Sequence, residues 1–219
     1  MHRILFSKLE NAIWISHLDT MRMFQRAFRR ADIPVKHTEG FNPHPFVSIA
    51  MPMSVGTQSM CELLDFTLLL TDSELSYLPE RLNHVLPSGI RVLNAYCSDK
   101  KLNLLKYLHA NVTLIYDHGV PIGGQDALED LFHRPQLYVM RKTKRNIAET
   151  DILPMIRSLQ IHTESSNHIV IDTVVCANEP SLNPNLLAEA VKENLPSMAP
   201  DAFRTIRLDI LDEGGKSFR

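Results

Sequence analysis

A cluster of arginines early in the chain has the residue type and the spacing to bind an anion. Its members are Arg22, Arg26, Arg29 and Arg30. Like charges four residues apart on a helix repel one another, so this face is not optimised for helix stability alone. An arginine fork can bind two phosphate oxygens at once, and an anion would relieve the repulsion. The alternative is an ordinary solvated face paired with carboxylates from elsewhere, such as Glu39, Glu62 or Asp65.

A second run of basic residues is typical of a hairpin tip between two strands. It contains Arg141, Lys142, Lys144 and Arg145. A solvated turn is the usual interpretation of so short a charge run. Together with the first cluster, however, it predicts a surface that follows a phosphate backbone.

The segment Ser16-His17-Leu18-Asp19 has the pattern of a helix start. Ser16 is a good N-cap residue, and an acidic residue three positions later can complete the cap, which explains both residues. The cap does not explain His17, which could act as a base, a ligand or a hydrogen-bond donor. A structural position for His17 is nevertheless the interpretation that we favour on general grounds.

The loop Glu39-Gly40-Phe41-Asn42-Pro43-His44-Pro45 is the most unusual segment of the sequence. Gly40 permits a positive φ, and two prolines pre-set an extended path, so the loop is predicted to be stiff. His17, Phe41, Asn42 and His44 could then line a groove, and an exposed Phe or His of the loop could stack on a base there. The alternative for Phe41 is burial in the core, which we favour because large aromatic side chains are usually buried.

Composition argues against redox and metal chemistry in this chain. The three cysteines, Cys61, Cys97 and Cys176, are far apart and form no C-x-x-C pair, which argues against a disulfide scaffold and an iron–sulfur motif. The ten histidines show no metal-ligand spacing, and no glycine-rich phosphate loop is present. We therefore predict no cofactor and no metal.

The sequence has the features of a cytoplasmic protein. The N-terminal segment from Met1 to Lys8 is too short and too polar for a signal peptide. No stretch approaches the ~20 consecutive apolar residues of a membrane helix. The formal charge of −2 gives no information about a polyanionic partner, so any argument for one depends on how the charges are distributed.

The order of apolar runs predicts an α+β protein. Strand, helix, strand, strand, helix and strand follow one another, and the second half repeats this order with one extra strand. We predict tandem ferredoxin-like (βαββαβ) domains with antiparallel sheets. The predicted boundaries are residues 1–98 for the N-terminal domain, 104–212 for the C-terminal domain and 213–219 for a polar tail.

The two helices of the first half are predicted from periodicity and from proline. The first helix runs from His17 to about Asp32, and Pro34 stops it. The second runs from Asp72 to Val85, with Pro79 splitting or kinking it.

Several short motifs of the first half occur together in a characteristic order. They are Phe6-Ser7-Lys8, Ser16-His17-Leu18-Asp19, Arg26-Ala27-Phe28-Arg29-Arg30-Ala31, Ile33-Pro34-Val35, Gly40-Phe41-Asn42-Pro43-His44-Pro45, Gly56 and Glu62. In these motifs the chain resembles the radical-SAM-associated (radical-SAM-linked) family of unknown function. The resemblance implies a radical S-adenosylmethionine protein as partner, fused to the chain or encoded beside it, and implies no activity for the chain itself.

Three functions are compatible with these features. The first is an accessory, non-catalytic module that recognises RNA or an RNA–protein particle for a radical SAM partner, with the arginines on phosphate and His17, Phe41 and His44 beside them. The second is a metal-independent endoribonuclease of tandem ferredoxin-like type, with His17 as general acid or base. The third is a protein–protein adaptor whose arginine face docks on an acidic surface.

Overall fold

A computed structural model describes residues 1–69, 72–142 and 147–219. The chain divides into two compact units. Unit 1 consists of Met1–Leu104 and Ser217–Arg219, and unit 2 of Leu105–Lys216.

Unit 1 is an antiparallel sheet with two helices. In chain order its strands and helices are β1 (His2–Lys8), α1 (His17–Arg30), β2 (Ser48–Ile49), β3 (Gln58–Phe66), α2 (Leu78–Asn83) and β4 (Ile90–Cys97). Short 3-10 helices occupy Glu10–Trp14, Asp72–Tyr77 and Leu102–Leu104. The paired strands run antiparallel in the order β4-β1-β3-β2.

The inner face of α1 holds the helix against the sheet. Phe24, Ala27 and Phe28 are fully buried. The Phe24 ring meets the Phe6 ring edge-on at 4.7 Å between centroids, and the Phe28 ring lies 5.1 Å from that of Phe66. Burial of each such ring stabilises the fold by about 1.5–3 kcal/mol. The inner face therefore fixes the helix and leaves its outer face to solvent.

The first helix ends slightly earlier than its sequence predicts. It stops at Arg30, and Asp32 adopts a left-handed conformation with φ 51°. The Ile33 N–H donates to the Phe28 carbonyl at 3.0 Å, as in a Schellman motif. The turn at Asp32 thus ends the helix before Pro34 is reached.

The break predicted at Pro79 is confirmed. The stretch predicted as one helix consists of the 3-10 helix Asp72–Tyr77 and the short helix α2. Pro79 lies in the first turn of α2, where its missing N–H needs no partner.

Unit 2 combines an antiparallel sheet with a separate hairpin. Its elements in chain order are β5 (Tyr107–Ile115), α3 (Gly124–Phe132), β6 (Tyr138–Lys142), β7 (Ile147–Asp151), β8 (Ile156–Ser165), β9 (His168–Cys176), α4 (Asn185–Asn194) and β10 (Ala202–Leu211). The order in the sheet is β10-β5-β9-β8, and β6 pairs with β7 alone. The sequence did not predict β7.

The helices of unit 2 pack on one face of its sheet. Residues of β5 alternate, so that Leu108, Ala110, Val112 and Leu114 are buried between more exposed neighbours. A Cβ added to Gly124 of α3 would lie 3.4 Å from a methyl group of Ile169, so the helix backbone sits close to β9.

The residues predicted as a polar tail include a buried side chain. Phe218 is 1 % exposed, and its ring centroid lies 5.3 Å from the guanidinium carbon of Arg3. The chain end from Ser217 onward thus belongs to unit 1.

The α+β class is confirmed by the two units. Within residues 1–69, 72–142 and 147–219, none of the helices has the length and apolar character needed to cross a bilayer.

Candidate nucleic-acid interface

The start of α1 is fixed by the predicted cap. The Ser16 hydroxyl accepts a hydrogen bond from the Asp19 N–H at 3.2 Å and donates one to Asp19 Oδ2 at 2.7 Å. Arg22 Nη1 donates to the other carboxylate oxygen, also at 3.2 Å. The bond from Ser16, followed by the contact with Arg22, lowers the pKa of Asp19 below its usual value. Asp19 is therefore a carboxylate at neutral pH and neutralises part of the nearest arginine.

Three of the four arginines of α1 line one cleft of about 610 Å³. The arginine cleft, as we call it, is bounded by α1 and by the turn after α2. It is lined by Asp19, Arg22, Met23, Arg26, Arg30, Val85, Leu86 and Pro87. One carboxylate faces three guanidiniums among these lining residues, so the cleft carries a positive charge.

The remaining contacts of the arginines orient them without neutralising them. Arg30 Nη2 donates to the Val85 carbonyl at 2.8 Å, and Arg29 Nη2 donates to the Pro43 carbonyl at 3.3 Å. Arg26 is exposed and makes no ion pair or hydrogen bond through its side chain with the described residues. Carbonyl oxygens carry only partial charge, so these guanidiniums keep their attraction for an anion.

Arg29 lies apart from the cleft, although its sequence position groups it with the other three. Its contact with Pro43 places it beside the loop that precedes β2. The arginines of α1 thus extend from that loop to the turn after α2.

The Phe41 loop, residues 36–46, is a small hairpin held by its own backbone. The Phe46 N–H donates to the Lys36 carbonyl at 2.8 Å, and the Thr38 N–H donates to the His44 carbonyl at 2.9 Å. At its tip Gly40 has φ 125°, a conformation that L side chains rarely adopt. The predicted use of Gly40 in this loop is confirmed.

Side chains brace the loop and tie it to α1. His44 Nδ1 lies 3.0 Å from the Asn42 carbonyl and 3.2 Å from Thr38 Oγ1. Gln25 Nε2, on α1, donates to the Pro45 carbonyl at 3.3 Å. The loop therefore has both internal bonds and an anchor on the helix that carries the arginines.

Phe41 is fully exposed, so the burial that we favoured for it from the sequence is wrong. The two arms of the loop meet below residue 41 and leave its ring at the tip, away from the core. Asn42 and His44 are exposed beside it. Phe41, Asn42 and His44, three of the four residues predicted to form a groove, are thus neighbours on one exposed loop.

His17 does not join the arginines. It is the first residue of α1 and is half-buried. At 3.6 residues per turn, it shares the side of the helix that carries Phe24 and Phe28, which faces the core. Its ring makes no hydrogen bond with the described residues, so no carboxylate orients it as a base.

The second basic run falls only in part within the described residues. Arg141 is half-buried in β6, and its Nη1 lies 4.0 Å from the sulfur of Met155. Lys142 is the last residue of β6. Lys144 and Arg145 lie outside the described residues, so their predicted contact with phosphate stays a prediction.

The sequence did not predict a buried ion pair in unit 1. Arg3 is fully buried and donates to both oxygens of Asp65, at 2.6 and 3.0 Å, and also to the Lys100 carbonyl. Asp65 is thereby engaged within the fold and is not the partner that was considered for α1. Lys8 is also buried and donates to the Ile15 carbonyl at 2.6 Å, just before α1.

A histidine–carboxylate pair in unit 2 was missed as well. His109 Nε2 lies 3.0 and 3.1 Å from the two oxygens of Asp172. With the Asn111 amide oriented by its partners, its nitrogen donates to Asp172 at 2.8 Å. The pair joins β5 and β9 across 63 residues of sequence, so only the register of the strands shows it. Nowhere in the described part of the chain do three His, Cys, Asp or Glu side chains gather as a metal site requires.

These features define an α+β protein of two units with a basic cleft and an exposed aromatic loop on one of them. A family model described as "uncharacterized protein conserved in bacteria (DUF2344)" matches residues 2–184, more than half of the chain. The chain belongs to this DUF2344 family.

Comparison with curated proteins gives no significant match. Among solved structures, the chain is similar to one chain of the "Crystal Structure of a Cbf5-Nop10-Gar1 Complex", with a TM-score of 0.51 and 10 % identity. The alignment covers 95 % of this chain and 48 % of that one, so this chain spans about half of its length. At such low identity the similarity shows a shared fold.

Proposed function

We propose that this protein is an accessory, non-catalytic module that recognises RNA, or an RNA–protein particle, for a radical SAM partner enzyme. The observation that carries the proposal is the arginine cleft, in which three guanidiniums face one carboxylate. A polyanion is the ligand that such a surface attracts, and arginine forks suit phosphate oxygens in particular.

RNA is favoured over a small anion by the features that adjoin the cleft. Arg29 extends the positive charge toward the Phe41 loop, which presents an exposed aromatic ring. Single-stranded regions of RNA are bound by such combinations of basic and aromatic side chains. The basic run from Arg141 to Arg145 would add phosphate contacts from unit 2.

The radical SAM partner is inferred from the resemblance of the motifs between Phe6 and Glu62 to the radical-SAM-associated family. The sequence supports a division of labour, because its three separated cysteines do not form the closely spaced motif of an iron–sulfur cluster. The cluster and the chemistry would then belong to the partner. Co-purification of the two proteins, repeated after RNase treatment, tests whether they bind directly or through RNA.

We further propose that both units are ferredoxin-like. In unit 1 the order β-α-β-β-α-β and the sheet order β4-β1-β3-β2 support this assignment. Unit 2 has the equivalent sheet order β10-β5-β9-β8, with the β6–β7 hairpin as an insertion. Nuclear Overhauser contacts between β1 and β3 and between β5 and β9 test the two sheets, and different strand neighbours would refute the assignment.

The proposed function is tested by fluorescence anisotropy with a labelled stem-loop RNA and the full chain. Arg26→Ala should weaken binding about tenfold, because it removes one charge-assisted contact. Arg91→Ala is the matched control, since Arg91 is an exposed arginine of unit 1 on β4 and is not among the residues that line the arginine cleft. The control should bind within about twofold of the wild type.

Two results would overturn the RNA assignment. One is the absence of RNA binding at low salt by the folded protein. The other is an equal effect of Arg26→Ala and Arg91→Ala, which would show that only overall charge matters. If the radical SAM partner still binds after RNase treatment but does not bind Arg26→Ala, the arginine cleft would instead be a protein-docking surface.

A further inference from the structure

The exposure of Phe41 is not explained by folding. Its ring is fully exposed at the tip of the Phe41 loop, whereas Phe6, Phe24 and Phe28 are buried in the core of the same unit. An aromatic ring held entirely in water contributes no burial energy, so the fold does not require an aromatic residue at this position. A ligand that covers the ring would supply the missing contact.

The backbone of the loop that carries this ring is held by hydrogen bonds. Backbone bonds between Thr38 and His44 and between Lys36 and Phe46 close the hairpin. Bonds from Gln25 to Pro45 and from Arg29 to Pro43 fasten it to α1. Because the backbone of the loop is already held, a ligand does not lose conformational entropy in ordering it.

The charge beside the loop indicates the chemistry of the ligand. Arg29 donates to the carbonyl of Pro43, two residues from Phe41, so a guanidinium lies against one arm of the loop. An aromatic ring beside a fixed cation complements a nucleotide, in which a flat base is joined to a phosphate.

We propose that the RNA segment bound here is single-stranded and that one unpaired base stacks on the Phe41 ring while its phosphates lie along the arginines of α1. This inference rests on the proposed function and names the class of RNA. In a duplex the faces of the bases are already stacked, and the major groove of A-form RNA is too deep and narrow for a side chain to enter. One exposed ring can therefore select unpaired nucleotides over paired ones.

The test compares a labelled single-stranded oligonucleotide with the same strand in a blunt-ended duplex, using the full chain and fluorescence anisotropy. We expect the single strand to bind at least tenfold more tightly than the duplex. Phe41→Ala should weaken single-strand binding about tenfold and leave duplex binding unchanged, since stacking is lost and charge is not. Because the side chain is fully exposed, thermal unfolding should show no loss of stability.

A second variant keeps the stacking surface. This variant is Phe41→Trp in a Trp14→Phe background, in which residue 41 is the only tryptophan of the chain. It should retain single-strand affinity, and its tryptophan fluorescence should fall when RNA binds, because the base stacks on the indole ring. Phe41→Leu, which is apolar but cannot stack, should behave like Phe41→Ala. Full affinity of Phe41→Leu would show that only apolar contact is needed and would overturn the inference.

The outcomes separate this inference from the proposed function. The inference would be overturned if the single strand and the duplex bound equally well and Phe41→Ala did not change RNA affinity. If Arg26→Ala still lowered RNA affinity, the proposal of RNA recognition would stand. Failure of the folded wild type to bind either RNA would remove both. Loss of partner-protein binding in Phe41→Ala, with RNA affinity intact, would assign the ring to a protein interface and overturn the inference.

Discussion

Helices α1 and α3 hold the same position in the order of elements, since each follows the first strand of its unit, but their outer faces carry opposite charge. The charged residues of α1 are Asp19, Arg22, Arg26, Arg29 and Arg30, whereas those of α3 are Asp126, Glu129 and Asp130. Their inner faces are alike: Phe24 and Phe28 are buried in one helix, and Leu128 and Leu131 in the other.

The comparison separates what folding needs from what it does not. Burial of an apolar stripe builds both helices, and it does so with an acidic outer face as readily as with a basic one. The arginines of α1 are therefore not needed to form the helix itself, and like charges at Arg22, Arg26 and Arg30 even repel one another. Arg29 and Arg30 also bind the carbonyls of Pro43 and Val85, and these contacts leave their positive charge available to a ligand.

The largest expected effect comes from the faces that the two helices share. Phe24→Ala should lower the free energy of unfolding by about 3–5 kcal/mol, and Leu128→Ala by about 2–5 kcal/mol, because each leaves a cavity in a core. Arg26→Ala and Asp130→Ala, on the outer faces, should change it by less than about 0.5 kcal/mol. Denaturant unfolding measures all four, and a cost of Arg26→Ala near that of Phe24→Ala would give the arginines a structural task.

Charge reversal on α1 should have the next largest effect. The triple variant Arg22→Glu, Arg26→Glu, Arg30→Glu should weaken single-stranded RNA binding at least about a hundredfold at low salt, because each lost contact contributes about 1 kcal/mol or more. Anisotropy titrations measure it. The matched control adds charge to the other helix: Asp126→Arg with Asp130→Arg should improve binding far less. An equal and opposite gain from that control would show that net charge alone attracts RNA.

The starts of the two helices differ in a smaller way. Ser16 caps α1 through its side chain, while α3 begins after Gly123, which has φ 70° and makes no side-chain cap. Ser16→Ala should cost about 1 kcal/mol, and Ser16→Thr should restore most of it. Gly123→Ala should cost about the same through backbone strain, although a Cβ there meets no atom within 4 Å. Thermal unfolding compares them, and a silent Ser16→Ala would disprove the cap.

The smallest expected effect concerns Asp19. Asp19→Asn should raise RNA affinity about threefold, because it frees Arg22 from its surface ion pair. The pKa of Asp19 is lowered in the fold, so the ionised form adds stability above about pH 4 that is lost as the pH falls further. The stability difference between wild type and Asp19→Asn should therefore shrink below that pH. A difference that stays constant from pH 7 to pH 2 would exclude the carboxylate as its source.

Local rules predicted the parts of this molecule that depend on neighbouring residues. The cap at Ser16, the apolar stripe of α1 and the break at Pro79 each follow from a few adjacent residues. The strand β7 was not predicted because its sequence, Ile-Ala-Glu-Thr-Asp, lacks an alternating apolar pattern. It forms by pairing with β6, which no local rule shows.

Sequence analysis selected Arg22, Arg26 and Arg30 of the cleft, but not the residues that the fold places around them. Helix geometry alone places His17 on the side of α1 opposite the arginines. The cleft also requires the turn Val85–Pro87, and the contact of this turn with α1 is not predictable from local sequence. The exposure of Phe41 depends on how the arms of its loop pair. The pairing of His109 with Asp172 depends on strand register.

The central claim, that the arginines of α1 bind the phosphates of RNA, is tested most directly by the salt dependence of binding. The measurement is the slope of the logarithm of the binding constant against the logarithm of salt concentration, for the full chain and a single-stranded RNA. Replacing Arg22, Arg26 and Arg30 together by alanine should make this slope less steep by about 2, because three phosphate contacts no longer release counterions. An unchanged slope in the folded triple variant would contradict the account.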